Sequence, residues 1–289
     1  MEWVLGIIAL LAAAAAGACL RSHYERTHFK TDCYRLETEK LKSGTQYRLV
    51  FLTDLHNNVF GKNNEPLIEA IRQAKPDMVL MGGDMMVCRQ RDHRIDVVLE
   101  LAGTLSKEFP VYYGNGNHET RMYRKRQYYG SLYEDLTEGL RERGVTHLKD
   151  AWADPLPGVR VYGADIERPY YEKGQVPEMP ADYLKKRLGE PAADKFNILM
   201  AHTPYFFDVY AGWGADLTLS GHFHGGTIRL PLVGGLMTPQ YQFFCRYCAG
   251  KFTKGGSTMI VGRGLGTHSI NIRLGNMSQL VVVDICGRG

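Results

Sequence analysis

Short apolar runs recur along this chain, each closed by glycine or a polar residue, with amphipathic stretches between them. Arg48-Leu49-Val50-Phe51-Leu52 is continuous in its apolar core rather than alternating, which predicts a strand buried on both faces. Asp77 to Met81, Pro110 to Tyr113, Phe196 to Ala201 and Asp216 to Ser220 predict further strands. Between them lie helices. One is predicted over residues 65–75, with Pro66 in its first turn and Lys75-Pro76 at its end. Another is predicted over 93–107, where Ile95, Val98, Leu99, Ala102 and Leu105 share a face. Ser131 and Glu134 spell a capping box for a third, ending near Gly144. Met259 to Gly266 reads as a strand running into glycines, and Gln279 to Ile285 as a closing strand. Strand, loop and helix in alternation from Tyr47 onward define an α/β class.

The N-terminus has a different pattern. Trp3 to Leu20 is 18 residues without a charge, near the lower limit for a membrane-spanning helix. Its only early charge is Glu2, whereas a cleaved secretory signal begins with Lys or Arg. Ala16-Gly17-Ala18-Cys19 leaves a lipoprotein-type cleavage open. Arg21, Arg26 and Lys30 come just after the run and no basic residue precedes it. The positive-inside rule then puts the bulk of the chain on the cytoplasmic face of a single-pass membrane protein. The expected organisation is an anchor helix over residues 1–22, a charged juxtamembrane segment over 23–46 and one domain over 47–289.

The residues just past each strand carry the chemistry. The motifs are Asp54-Leu55-His56, Gly83-Asp84, Gly116-Asn117-His118-Glu119, Ala201-His202, Gly221-His222 and Phe223-His224. Asp54 and His56 lie two apart at the end of an extended segment, so they point to one side. Asp84 comes after paired glycines, which let the backbone turn sharply, and a carboxylate can bridge two metals through its two oxygens. Asn117 offers a hard, neutral amide oxygen. His118, next to it, is a candidate acid that turns toward a phosphate rather than a metal. His222 and His224, two apart and flanked by glycines, are the strongest single metal signal in the chain. Together these residues suffice for two divalent metals side by side, which suits attack of water on a phosphate ester.

Composition narrows the picture only a little. The chain has 289 residues, 44% of them hydrophobic and 23% charged, and a net charge of +4. That charge favours an anionic substrate but is far too small to predict nucleic-acid binding. Cys245 and Cys248 form a lone C-x-x-C without the second pair a zinc ribbon needs, so they read as ordinary thiols. Residues 121–129 alternate basic and aromatic side chains, as a solvated helix face does; contact with lipid headgroups or a distal phosphate is the alternative. The late glycine run around Arg263 lacks the Lys of a P-loop, leaving Arg263 as a minor phosphate-contact candidate.

In order and spelling, the six motifs resemble those of the calcineurin-like metallophosphoesterase superfamily, from about residue 47 to 285. Gly221-His222-Phe223-His224-Gly225-Gly226 and Arg263-Gly264-Leu265-Gly266 are most similar to its bacterial membrane-associated phosphodiesterase branch. The resemblance implies a four-layer α/β/β/α sandwich of two mixed sheets flanked by helices. It implies one metal on Asp54, His56, Asp84 and His224, and a second on Asp84, Asn117, His202 and His222, with Asp84 bridging. His118 would protonate the leaving oxygen or stabilise charge on the phosphoryl oxygens. Val87 stands where many members carry an acidic residue, and Thr227 where many carry Gln. The mixed Asp/Asn/His set suits Mn²⁺, Fe²⁺ or Zn²⁺ better than Ca²⁺.

The expected function is therefore hydrolysis of a phosphodiester or pyrophosphate of a lipid or cell-envelope compound. A phosphomonoesterase or protein phosphatase of the same fold is one alternative, and a membrane-tethered metal-binding module without catalysis is another. The chain lacks His-Glu-x-x-His and His-x-His-x-Asp-His, which sets aside zinc proteases and metallo-β-lactamase-like hydrolases. Oligomeric state has no signature in the sequence.

Overall fold

The computed structural model describes residues 1–88, 94–174, 176–267 and 271–288. Strands and helices are numbered in chain order. The first sheet runs β1 (Phe29–Thr38), β14 (Ser278–Gly287), β2 (Gln46–Leu52), β3 (Met78–Met81), β4 (Val111–Gly114), β5 (Thr146–Leu148). From β2 to β5 it is parallel; β14 is antiparallel to β2, and β1 is parallel to β14. The second sheet runs β12 (Gly250–Lys254), β13 (Ser257–Val261), β9 (Leu217–Ser220), β8 (Phe196–Ala201), β7 (Val159–Ala164), β6 (Ala151–Leu156). It is parallel except for its two outermost pairs. A small hairpin, β10 (Arg229–Leu230) with β11 (Gly234–Gly235), stands apart.

Alternation along the strands builds the layers. Leu49 and Phe51 of β2, with Met78 and Leu80 of β3, face Ile198, Met200, Leu217, Leu219 and Ile260 across the sandwich interior. Their neighbours Val50, Leu52, Val79 and Met81 face the other way. There they pack on α2 (Glu65–Ala74), α3 (Asp96–Leu105) and α6 (Leu132–Glu142) through Leu67, Ile71, Val98, Leu101 and Leu136. The outer face of the second sheet buries Tyr162 and Leu199 against α7 (Tyr183–Leu188) and α8 (Phe207–Trp213). Every buried strand thus has two apolar faces, as the continuous runs predict. The four layers are the α/β/β/α sandwich expected.

Some expectations shift. The helix predicted over 93–107 spans Asp96–Leu105, and residue 93 lies outside the described residues. The basic, aromatic stretch forms α4 (Asn117–Arg124) and the single turn α5 (Arg126–Tyr129). The capping box at Ser131 does not form: its hydroxyl donates to Asp135, and Glu134 pairs instead with Arg126. The stretch expected as a juxtamembrane segment, residues 23–46, is ordered structure. It completes α1 (Glu2–Thr27) and supplies β1, an edge strand whose exposed face carries polar side chains. α1 is long and apolar enough to cross a membrane, and none of its apolar window is buried.

Candidate metal centre

The C-terminal ends of β2, β3, β4, β8 and β9 meet at one edge of the sandwich. Asp54 and His56 come after β2, Asp84 after β3, and Asn117 and His118 open α4 just past β4. His202 lies past β8, and His222 and His224 past β9. The backbone here is unusual. Asp54, His56, Asp84, His222 and His224 all have positive φ, between 49° and 65°. Non-glycine residues rarely adopt that region, and each costs on the order of 1 kcal/mol or more. Gly221 is required by close approach, since a Cβ there would lie 2.2 Å from Asp54 Oδ2.

These turns bring the side chains together in three overlapping groups: Asp54, His56 and His224; His56, Asp84 and His118; Asp84, His202 and His222. His224 Nε2 lies 3.4 Å from Asp54 Oδ1, and His202 Nε2 lies 3.2 Å from Asp84 Oδ2. His56 Nε2 stands 3.8 Å from Asp54 Oδ1 and 3.9 Å from Asp84 Oδ2. Asp84 is common to two groups and lies between the β2 motif and the β8 and β9 motifs. Asn117 Oδ1 is buried without a hydrogen-bond partner, and Asn117 lines the cavity that opens over the cluster.

Hydrogen bonds set the imidazole tautomers. His202 Nδ1 donates to Gly82 O at 2.8 Å, and His224 Nδ1 donates to Gly266 O at 3.2 Å. Each neutral ring therefore presents an unprotonated Nε2, the form a metal requires. His118 is wired the opposite way. Its Nδ1 accepts the Cys88 N–H at 2.8 Å, so the neutral ring carries its proton on Nε2, 4.0 Å from Asp84 Oδ2. That nitrogen is a donor and has no lone pair for a cation.

The charges are deeply buried. Asp54 and Asp84 have no exposed surface. Burial, and then the charge of Asp84, push Asp54 up to about 7, although His202 opposes the shift. Burial also opposes ionisation of Asp84, but His202, His118 and His56 outweigh it and hold that carboxyl well below its usual range. Burial disfavours a charged His202, yet Asp84 and Asp54 raise it to about 10. Two carboxylates this close and this dry call for positive charge between them.

Sequence reasoning assigned no role to Glu119. Fully buried at the third position of α4, it clamps two loops: Oε2 accepts the N–H groups of Asp84 and Gly116, and Oε1 accepts the Met85 N–H and the Tyr113 hydroxyl. Its position after an Asn-His turn is a helix-capping signal, and only the fold shows that it also grips the Asp84 loop. Tyr171 was also missed; its ring stands edge-on to His222 at 4.9 Å. Over the cluster opens a cavity of about 270 Å³, lined by His118, His222, His224, Arg121, Lys173 and Arg273 among others. Arg263 is not part of that lining, whereas Thr227 is. Cys245 and Cys248 are free thiols, and Cys248 packs where Gly226 and Gly235 leave room.

The motifs, their convergence and the sandwich define a metallophosphoesterase. Residues 47–226 match the calcineurin-like phosphoesterase family, and the chain belongs to it. Among curated relatives, the metallophosphoesterase YkuE of Bacillus subtilis is 25% identical over 99% of this chain and 96% of its own. The protein YpbG of the same organism is 24% identical over 98% and 97%. The phosphodiesterase YaeI of Escherichia coli is 25% identical over 83% of this chain and 82% of its own.

Proposed function

We propose that this phosphoesterase is a phosphodiesterase that holds two divalent cations, Mn²⁺, Fe²⁺ or Zn²⁺, and acts on a lipid-linked or cell-envelope phosphodiester or pyrophosphate. Asp54, His56, Asp84 and His224 would hold one cation, and Asp84, Asn117, His202 and His222 the other. The observation that carries this reading is Asp84, shared between two ligand groups and set among imidazoles, His202 and His224, whose Nδ1 atoms are held by backbone carbonyls so that Nε2 is left to face the carboxylates. The donor chemistry fits: carboxylate and amide oxygens with imidazole nitrogens suit borderline cations. Bound there, the pair would supply a water of lowered pKa and positive charge opposite the phosphate.

The chain's own residues do the rest. Tyr171 and Thr227 shape the pocket wall. Arg121 and Lys173 draw an anionic substrate into the cavity. His118, with its proton fixed on Nε2, donates a hydrogen bond to a phosphoryl or leaving oxygen as charge builds there. Of the two roles considered from sequence, the tautomer favours charge stabilisation. α1 would serve as a single membrane span with the domain on the cytoplasmic face, in keeping with the basic residues just past its apolar run.

A comparison of bis(p-nitrophenyl) phosphate with p-nitrophenyl phosphate, using Mn²⁺-loaded protein, tests the diester assignment. Turnover of the diester is expected. Turnover of the monoester alone would transfer the protein to the phosphomonoesterases.

A further inference from the structure

α1 leaves the domain at a particular edge, and its last turns are fastened there by buried polar groups. β1 starts at Phe29, opposite Ser278 of β14, and β14 runs antiparallel to β2 with Val281 opposite Phe51. The start of β1 is therefore level with the end of β2, where Asp54 and His56 stand. α1 ends at Thr27, directly before β1, so it leaves the sandwich at the catalytic edge rather than at the far one.

The attachment is built, not loose. Ser22 and Glu25 are the buried residues of α1. The Glu25 carboxylate accepts the N–H groups of Gly275 and Asn276 at 3.1 and 2.8 Å, and is paired with Arg21. Ser22 Oγ accepts the Arg273 N–H at 3.1 Å, and Arg26 O accepts from Asn58 Nδ2 at 3.2 Å. Two of these partners belong to the site's own rim. Arg273 and Asn276 line the cavity, and Asn276 Nδ2 also donates to His224 O at 2.6 Å. A buried carboxylate holding two backbone amides fixes the helix in direction as well as place.

Lengths then locate the rim. Residues 2–20 rise about 28 Å as a helix, close to the ~30 Å hydrocarbon core of a bilayer. From Leu20 to Glu25 is only about 8 Å more, within the headgroup layer. Arg21, His23 and Tyr24 occupy that level on α1 with outward-facing side chains, the basic and aromatic belt of an interface.

We infer that the last turns of α1 hold the mouth of the site at the lipid–water interface, and that the substrate is a phosphodiester lipid of that same bilayer. The diester part of this inference rests on the function proposed above. A lipid headgroup enters laterally, while its acyl chains stay in the membrane; Arg121 and Lys173 meet its phosphate. A bulky soluble partner has no comparable access to a mouth so close to the surface.

The full chain in vesicles of phosphatidylglycerol, phosphatidylethanolamine and cardiolipin tests this in two arms. In a background where Cys19, Cys33 and Cys245 are Ser, a fluorophore is placed at Val59→Cys, next to the Asn58 that bonds the end of α1, or at Ser43→Cys, past the far end of β1. The two positions differ by about 20–30 Å along the strands. Energy transfer to a headgroup-labelled lipid is expected to be several-fold stronger from position 59. Equal transfer, or the reverse order, overturns the docking. In the second arm, loss of parent lipid from the protein's own vesicles is measured beside loss from separate, protein-free vesicles and beside turnover of bis(p-nitrophenyl) phosphate. Loss confined to the protein's own vesicles is expected. Equal loss from both vesicle populations, or turnover of the soluble diester alone, overturns the bilayer substrate. Inactivity on every diester counts against the phosphodiesterase reading, and the fluorophore arm still decides the docking.

Discussion

The two ends of the central strands solve opposite problems. At the start of β2 and the end of β14, charges are partly exposed and matched: Arg48 makes a two-pronged pair with Asp284 at 2.7 and 2.9 Å, and its N–H donates to Asp77. Near the start of β9, Asp216 accepts the Asn197 N–H and the Lys40 ammonium. At the other end, carboxylates are buried among imidazoles, on residues whose backbone sits at positive φ. One edge satisfies itself, and the other stores strain and unbalanced charge. That contrast marks function, because such features persist only where the surrounding structure enforces them.

The contrast can be broken at several points, from the largest expected effect to the smallest. Asp84→Ala removes the shared carboxylate. Bound metal should fall from two per chain to one or none, with turnover down about 10³-fold or more. Elemental analysis and diester assays check this together. His118→Ala should keep the bound metal yet lose about 10²–10⁴-fold in turnover, because the role proposed for it is that of a donor rather than a ligand. Unchanged rates would remove it from the chemistry. Glu119→Ala leaves the amides of Asp84, Gly116 and Met85 without their acceptor. A loss of about 3 kcal/mol in urea unfolding is expected.

Acid should act on a group of β5 that lies outside the candidate ligand set. His147 Nε2 donates to Asn115 at 2.9 Å, and burial pushes His147 down to about 4. The unfolded chain takes up that proton below its ordinary 6.5, so the folded state resists it. The stabilisation is complete above pH 6.5 and is lost as pH falls toward 4, at up to about 1.4 kcal/mol per pH unit. Urea midpoints at pH 7 and pH 5 should converge in His147→Gln relative to the parent. Last, Arg48→Ala at the quiet edge should cost under about 1 kcal/mol and leave turnover unchanged, since the pair is partly exposed. A large kinetic effect there would erase the distinction between the edges.

Most of this was legible in the sequence where an apolar run stops at a polar residue. β2, β3, β4, β8 and β9 each announce themselves that way, and Asp54, Asp84, Asn117, His202 and His222 sit just past their ends. The edge strand β1 gave no such signal, because Lys30, Asp32 and Arg35 interrupt it. Arg35 lies on the exposed face, while Lys30 and Asp32 pair with each other on the face that buries Leu36, so charge on both faces resembles a solvated linker. The Ser131 capping box matched in spelling, yet Asp135 and Arg126 competed for its two side chains. Glu119 and Glu25 were invisible for a shared reason. A buried carboxylate that accepts backbone amides from distant loops leaves no local pattern, and only the fold brings its partners to it.

Anomalous diffraction from crystals grown with Mn²⁺ would test the central claim most directly. We predict two peaks about 3.5–4 Å apart, one on each side of the Asp84 carboxylate, with His202 and His224 bound through Nε2 and His118 Nε2 bound to neither. A single peak, or a peak coordinated by His118, would contradict it.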